Sequence, residues 1–135
     1  FISIGSEAYT LSAAISILAD EKFTEEKYSE AANLYERSIY FNPDEYLYFE
    51  NAAISYDLTK QYDKASEYYD VVLDKFKTTD GRTEFYKGLM LVKTNKQKEG
   101  CELLKIASSK KFVLKTTGIS AVSVYPALCS RFSND

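Results

Sequence analysis

The sequence predicts an all-α chain, a solenoid of antiparallel helix pairs, and three observations predict it. Tyr28, Ala31, Tyr35 and Ile39 recur as Tyr62, Ala65, Tyr69 and Leu73, each 34 residues further on. Within each copy these residues stand three or four apart, the spacing of one helix face. Glycine (5) and proline (2) are scarce, which leaves few breaks for irregular loops. A self-similar period of this length marks a helical repeat, in which each unit buries its apolar face only by stacking on a neighbour.

The N-terminal element is a helix over residues 6–26, because Ala8, Leu11, Ala14, Ile15, Leu18, Ala19 and Phe23 recur at spacings of three and four. Thr24 to Lys27 is a short polar turn. The second helix runs from about Tyr28 to Phe41, with Ala31 as the small residue at the closest approach of the two helices. Asn42-Pro43-Asp44-Glu45 reads as a stop and restart: asparagine caps, proline fits the first helical turn, and glutamate completes a box-like signal. Residues 44–60 and 62–76 form the next pair, with Phe49, Ala52, Ala53 and Tyr56 turned inward.

Thr78 to Gly81 breaks the pattern, and Asp80 or Thr79 is expected to cap the next helix. The third pair occupies Arg82 to Lys111. Gly88 and Gly100 mark places where helices come close, and Gly100 takes the position held by Ala31 and Ala65. From Lys115 to Asp135 the pattern changes. Ile119, Val122, Tyr125, Leu128 and Phe132 still fall at helical spacing, so this stretch reads as a capping helix, kinked or divided near Pro126.

Composition narrows the function. A chain of 135 residues with 45% hydrophobic content supports one domain with a real core. No apolar run reaches the roughly 18 residues that span a bilayer, so no direct membrane insertion is expected. Phe1 to Gly5 is not an intact signal peptide, and the chain starts without methionine, so it reads as trimmed or as a piece of a longer protein. The two cysteines, Cys101 and Cys129, are read first as reduced core residues; one disulfide joining the last repeat to the C-terminal segment is the alternative. Histidine is absent, so the commonest general base and metal ligand is missing. No glycine-rich phosphate loop is present, and the carboxylates fall on helix surfaces. The expectation is therefore no catalytic residue, no cofactor, no metal and no enzyme.

Ala19-Asp20-Glu21-Lys22-Phe23 with Tyr28-Ser29-Glu30-Ala31, the copy at Tyr62 to Leu73, and Phe85-Tyr86-Lys87-Gly88-Leu89 resemble the tetratricopeptide-repeat family. The resemblance places repeats at about 6–43, 44–79 and 80–112, with a cap at 115–135, in one domain spanning 1–135. It implies a right-handed superhelix whose first helices line a concave groove, and a scaffold that binds a peptide or helix of a partner protein there.

The family's clamp for the carboxylate of chaperone tails is incomplete here. Asn51 matches it, but Ser16 and Asp20 stand where lysine and asparagine should, and Arg82 and Tyr86 where lysine and arginine should. Helix phase nevertheless assigns a groove to Leu47, Glu50, Asn51, Ile54, Asp57, Arg82, Phe85, Leu89 and Val92, with Ser16 and Asp20 beside them. An apolar strip with acidic neighbours would suit an amphipathic helix or an extended peptide; the alternative is that the C-terminal helix or a neighbouring repeat covers it.

The net charge of −3 conceals an asymmetry. Residues 1–80 hold 7 basic and 16 acidic side chains, and residues 81–115 hold 9 basic and 3 acidic. Ordinary solvated faces are one reading of this. A second is a basic docking site for a partner at Lys93, Lys96 and Lys98, and a third is self-association of acidic end with basic end. Nucleic acid is not expected, because the lysines lack interleaved arginines and a recognition motif. The function expected is a protein-protein interaction scaffold, and the alternative is a structural or docking segment of a larger membrane-associated or secretion assembly. The wording Lys98-Glu99-Gly100-Cys101-Glu102-Leu103-Leu104 resembles bacterial repeat proteins, and the compartment stays open between cytoplasm and bacterial periplasm.

Overall fold

The computed structural model describes residues 2–132 and the side chains of residues 5–131. Phe1 and residues 133–135, which the sequence placed in an N-terminal lead and in the cap, lie outside the described residues, as does the side chain of Phe132. The chain divides into two compact units, 1–76 and 77–135.

Unit 1 holds four helices: α1 (Ile2–Thr24), α2 (Tyr28–Phe41), α3 (Tyr46–Leu58) and α4 (Tyr62–Lys75). Each packs on the next in sequence. The repeated small residues do what their size allows. Ala31 and Ala65 are wholly buried, and so are Ala19, Ala52 and Ala53, so helices approach where no side chain intervenes. The repeated tyrosines fill the space beside them: Tyr35 and Tyr69 are buried, with their hydroxyls donating to Asp20 and Asp57. A buried phenol needs such an acceptor. Ser38 Oγ donates to the Ser12 carbonyl at 3.0 Å and ties α2 to α1.

Unit 2 holds α5 (Arg82–Lys93), α6 (Gln97–Ser109), a two-strand hairpin β1 (Val113–Leu114) and β2 (Ile119–Ser120), and α7 (Ala121–Cys129), which ends in a 3₁₀ turn. Its core joins Phe85, Leu104, Ala107, Phe112 and Ala121 around the bond between Cys101 and Cys129. The cysteines are thus a disulfide, Cα–Cα 5.7 Å, which corrects the reading of two reduced thiols. Spacing could not decide this, because the two residues are 28 apart and meet only when α7 folds back on α6.

Three turns inside helix pairs share one geometry. Glu26, Lys60 and Asn95 each take a left-handed backbone, φ 63°, 64° and 67°. After each, an amide reaches back five residues: Lys27 to Lys22, Gln61 to Tyr56, and Lys96 to Leu91. This is the Schellman closure that satisfies the last carbonyls of a helix. It recurs after 34 residues from Glu26 to Lys60 and after 35 from Lys60 to Asn95, although no glycine announces it.

Three local expectations are corrected. Asn42 does not cap α3: its Oδ1 accepts from the Asp44 amide at 3.1 Å, and α3 starts at Tyr46 without a side-chain cap. The asparagine lies too far ahead of the helix, so its carbonyl closes the turn instead. The C-terminal stretch is not helical throughout. Ile119 pairs with Leu114, and Gly118, at φ 74°, supplies the left-handed turn between the strands. α7 begins only at Ala121, where the Ser120 hydroxyl accepts from the Ser123 amide. It then runs through Pro126 to Cys129 without dividing. Asp80, like Asn42, accepts from the amide two residues on, that of Arg82, and closes the turn before α5, whose cap position is Gly81 with no side-chain cap.

Candidate functional site

Helix α1 is apolar on more than one side, and this leaves a broad apolar surface open on unit 1. The side facing its neighbours buries Ser12 and Ala19, with Ala8, Ile15 and Phe23 half-buried. The other side exposes Tyr9 (54%), Leu11 (44%), Ile17 (60%) and Leu18 (50%), with Ala13 and Ala14 between them. A shallow depression of about 370 Å³ at its C-terminal end is lined by Ile17, Asp20, Glu21, Thr24 and Glu25. Glu7, Glu21 and Glu26 are exposed along the same helix and the turn after it.

Sequence periodicity assigned Leu11, Ala14 and Leu18 to the inner stripe. They are exposed instead. When apolar residues occur on all sides of a helix, a spacing of three or four selects several faces equally, and only packing chooses among them. The usable signal was the excess of apolar residues in α1 over the number one buried stripe needs.

The groove expected from helix phase is only partly open. In unit 1, Leu47 is exposed and Asn51 is half-buried, but Glu50, Ile54 and Asp57 are 1%, 4% and 6% exposed. In unit 2, Phe85 is buried with its ring 5.0 Å from that of Phe112, so it is a core residue. Arg82 is half-buried with its guanidinium over the Tyr86 ring, and Leu89 and Val92 pack half-buried against the unit 2 core. Glu50, Ile54, Asp57 and Phe85 therefore do not offer their side chains to a partner in this structure. A helix packed on several sides leaves a narrow ridge open, and phase alone does not separate the ridge from its flanks. Of the two remaining positions, Ser16 is half-buried and donates to the Ala13 carbonyl, whereas Asp20 is exposed and receives the Tyr35 hydroxyl. Lys93, Lys96 and Lys98 are exposed at the α5–α6 turn.

A polar cluster with Tyr56 buried and Glu36 and Tyr68 half-buried ties unit 1 together. The Glu36 carboxylate accepts from both the Tyr56 and Tyr68 hydroxyls, whose rings stack with centroids 6.0 Å apart and planes within 4°. Burial, then the hydrogen bond and charge of Glu36, push both phenols well above their usual range. The two tyrosines donate as neutral groups and hold α2, α3 and α4 together. They are structural rather than reactive.

No family model matches the sequence, and no curated protein matches it closely enough to assign a family. Solved structures do match the fold. The type III secretion chaperone SycD of Yersinia enterocolitica, in complex with a peptide of the translocator YopD, superposes with a TM-score of 0.72 at 18% identity. The match covers 88% of this chain and 92% of SycD. The tetratricopeptide-repeat domain of Sgt2 from Aspergillus fumigatus gives 0.71 at 18% identity, covering 91% and 80%. The fold is the tetratricopeptide-repeat fold. The CopN–Scc3 complex supplies a further likeness, 0.68 at 14% identity, covering 90% of this chain and 69% of that one. In this tetratricopeptide fold α1–α2, α3–α4 and α5–α6 are the three helix pairs, and the hairpin with α7 comes after the last. Within it, Ala31, Ala65 and Gly100 occupy equivalent buried positions on the second helices.

Proposed function

We propose that this chain is a protein-interaction module that takes a segment of a partner protein, as a peptide or a helix, on its repeats. The observation that carries the reading is the outer side of α1. Four large apolar side chains on one helix are 44–60% exposed, bordered by carboxylates. Tyr9 and Ile17 run along one flank of this exposed side and Leu11 and Leu18 along the other, with Glu7 and Glu21 between them, and such grouping of exposed apolar side chains is a feature of interaction sites. Leu47 and Asn51 in unit 1, Arg82, Leu89 and Val92 in unit 2, and the exposed lysines Lys93, Lys96 and Lys98 are secondary contact points in this reading. Likeness in fold to SycD and CopN–Scc3, whose structures hold a partner peptide or protein, supports the class of function and names no partner.

Displayed peptides selected on the immobilised chain, then titrated by calorimetry, test the reading. Ile17→Glu/Leu18→Glu is compared with wild type, and circular dichroism checks that the variant folds. Binding lost in the folded variant supports α1 as the site. Binding equal in both moves the site to Leu47 or to the lysine turn, and selection of no segment at all overturns the reading.

A further inference from the structure

We propose that the apolar side of α1 binds the C-terminal face of a second copy of this chain, so that copies associate head to tail. The inference rests on the reading of α1 as an interaction surface, and it names the occupant.

The two compact units have opposite charge. Unit 1 carries 15 acidic and 6 basic side chains, and unit 2 carries 5 acidic and 11 basic. The exposed apolar residues of each unit sit within its own sign of charge. On α1, Ile17 lies beside Asp20, Glu21 and Glu25, and the nearby Lys22 and Lys27 are both paired with Glu25, so the balance at this end is acidic. In unit 2, Val113 (44%), Ile119 (46%), Val122 (51%) and Leu128 (44%) are exposed on the hairpin and α7. No acidic residue occurs between Glu102 and Asp135, whereas Lys105, Lys111 and Lys115 in that stretch are exposed. Among the described residues, neither apolar face is covered within the chain. Each meets in the other the two things it lacks: apolar area to bury and charge of opposite sign at the rim.

Like charge disfavours the two symmetric alternatives. Two α1 faces would bring carboxylates together, and two C-terminal faces would bring lysines together. The complementary pairing is heterologous: each copy that uses its α1 face still offers its C-terminal face, and growth continues unless a ring closes.

Sedimentation velocity on the whole chain, from low to high micromolar concentration, tests this. The expected result is association that rises with concentration and weakens about tenfold or more between about 0.1 M and 1 M salt, where the Debye length falls from about 10 Å to about 3 Å. Two folded variants give the decisive arm. Ile17→Glu/Leu18→Glu removes the α1 face, and Lys111→Glu/Val122→Glu removes the C-terminal face. Each alone should be monomeric, and an equimolar mixture should form a one-to-one dimer, because each variant keeps the face the other lacks. A wild type that stays monomeric overturns the inference, and so does a C-terminal variant that still pairs with itself, which would mean symmetric α1 contact. In either case the peptide selection above decides separately whether α1 takes another protein.

Discussion

Gly88 on α5 and Gly100 on α6 face each other backbone to backbone. A Cβ on Gly100 would lie 2.7 Å from the Gly88 carbonyl oxygen and 2.9 Å from the Val92 nitrogen. A Cβ on Gly88 would lie 3.0 Å from the Gly100 carbonyl oxygen, but its nearest neighbour is the Leu104 side chain at 2.9 Å. Backbone cannot rotate aside as a leucine can. Gly100→Ala is therefore the more damaging change: overpacking costs about 1–3 kcal/mol, against roughly 1 kcal/mol gained from the helix preference of alanine. Thermal unfolding of both variants should rank wild type above Gly88→Ala and Gly88→Ala above Gly100→Ala.

The Cys101–Cys129 bond closes a loop of 28 residues over the hairpin and α7. Constraining an unfolded loop of that length contributes about 3–4 kcal/mol. Reduction, or Cys101→Ser/Cys129→Ser, should lower the melting temperature and expose α7 first. Hydrogen exchange with and without reductant checks this: protection should fall in Ala121–Cys129 before it falls in α1–α4. Equal loss throughout the chain would contradict it.

Burial of Tyr56 and Tyr68, with Glu36 second, sets the alkaline limit. The Tyr56 and Tyr68 hydroxyls are held above their usual range in the folded chain by burial and by Glu36. In the unfolded chain they ionise near pH 10. Their contribution is therefore fully present below about pH 10 and is lost as pH rises from there through their folded values. Denaturant midpoints between neutral and strongly alkaline pH should fall above pH ~10. In Tyr68→Phe the fall should be shallower, because one of the two shifted phenols is gone. At neutral pH that variant should also lose about 1.5–3 kcal/mol, typical for a hydrogen bond to a charged group.

Lys110 reaches the buried carboxylate of Glu84 and donates to the Thr78 carbonyl at 3.0 Å, so it ties the loop before α5 to the end of α6. Lys110→Met would leave the Glu84 carboxylate buried and unpaired. Removing one partner of a buried pair costs about 3–5 kcal/mol, and because the lysine is partly exposed the lower end is expected. Urea denaturation should show Lys110→Met well below the double variant Lys110→Met/Glu84→Leu, which removes both charges together.

The left-handed turns give a stabilising change. Lys60 carries a steric penalty at φ 64° that glycine does not. Lys60→Gly should leave the fold unchanged and raise the urea midpoint, by an amount equivalent to roughly 0.5–1 kcal/mol once the added freedom of the unfolded chain is subtracted.

The local elements were legible in the sequence for a physical reason. A 34-residue repeat of Tyr, Ala, Tyr and an aliphatic residue reports which side of each second helix packs, because α2 and α4 each have one buried stripe: Ala31 and Tyr35, Ala65 and Tyr69. Gly88 and Gly100 were legible as close approaches because a missing side chain inside a helix has few other uses. Helix phase anticipated exposure where a ridge stays open, as at Leu47. It did not do so at Phe85 or Ile54, where the same phase points into packing.

By itself, then, the sequence determined an all-α repeat, the positions of its helix pairs and the small residues at their contacts. All of these come from spacings of three, four and thirty-four along the chain. Only the tertiary structure decided that Cys101 meets Cys129, that residues 113–120 form a hairpin before α7, that Glu36 collects two tyrosines from α3 and α4, and which side of α1 stays open. The disulfide, the Glu36 cluster and the open side of α1 depend on residues far apart in sequence, and periodicity along one helix carries no information about the face another helix will present; the hairpin is local, but its short strands leave too few residues for a period to show.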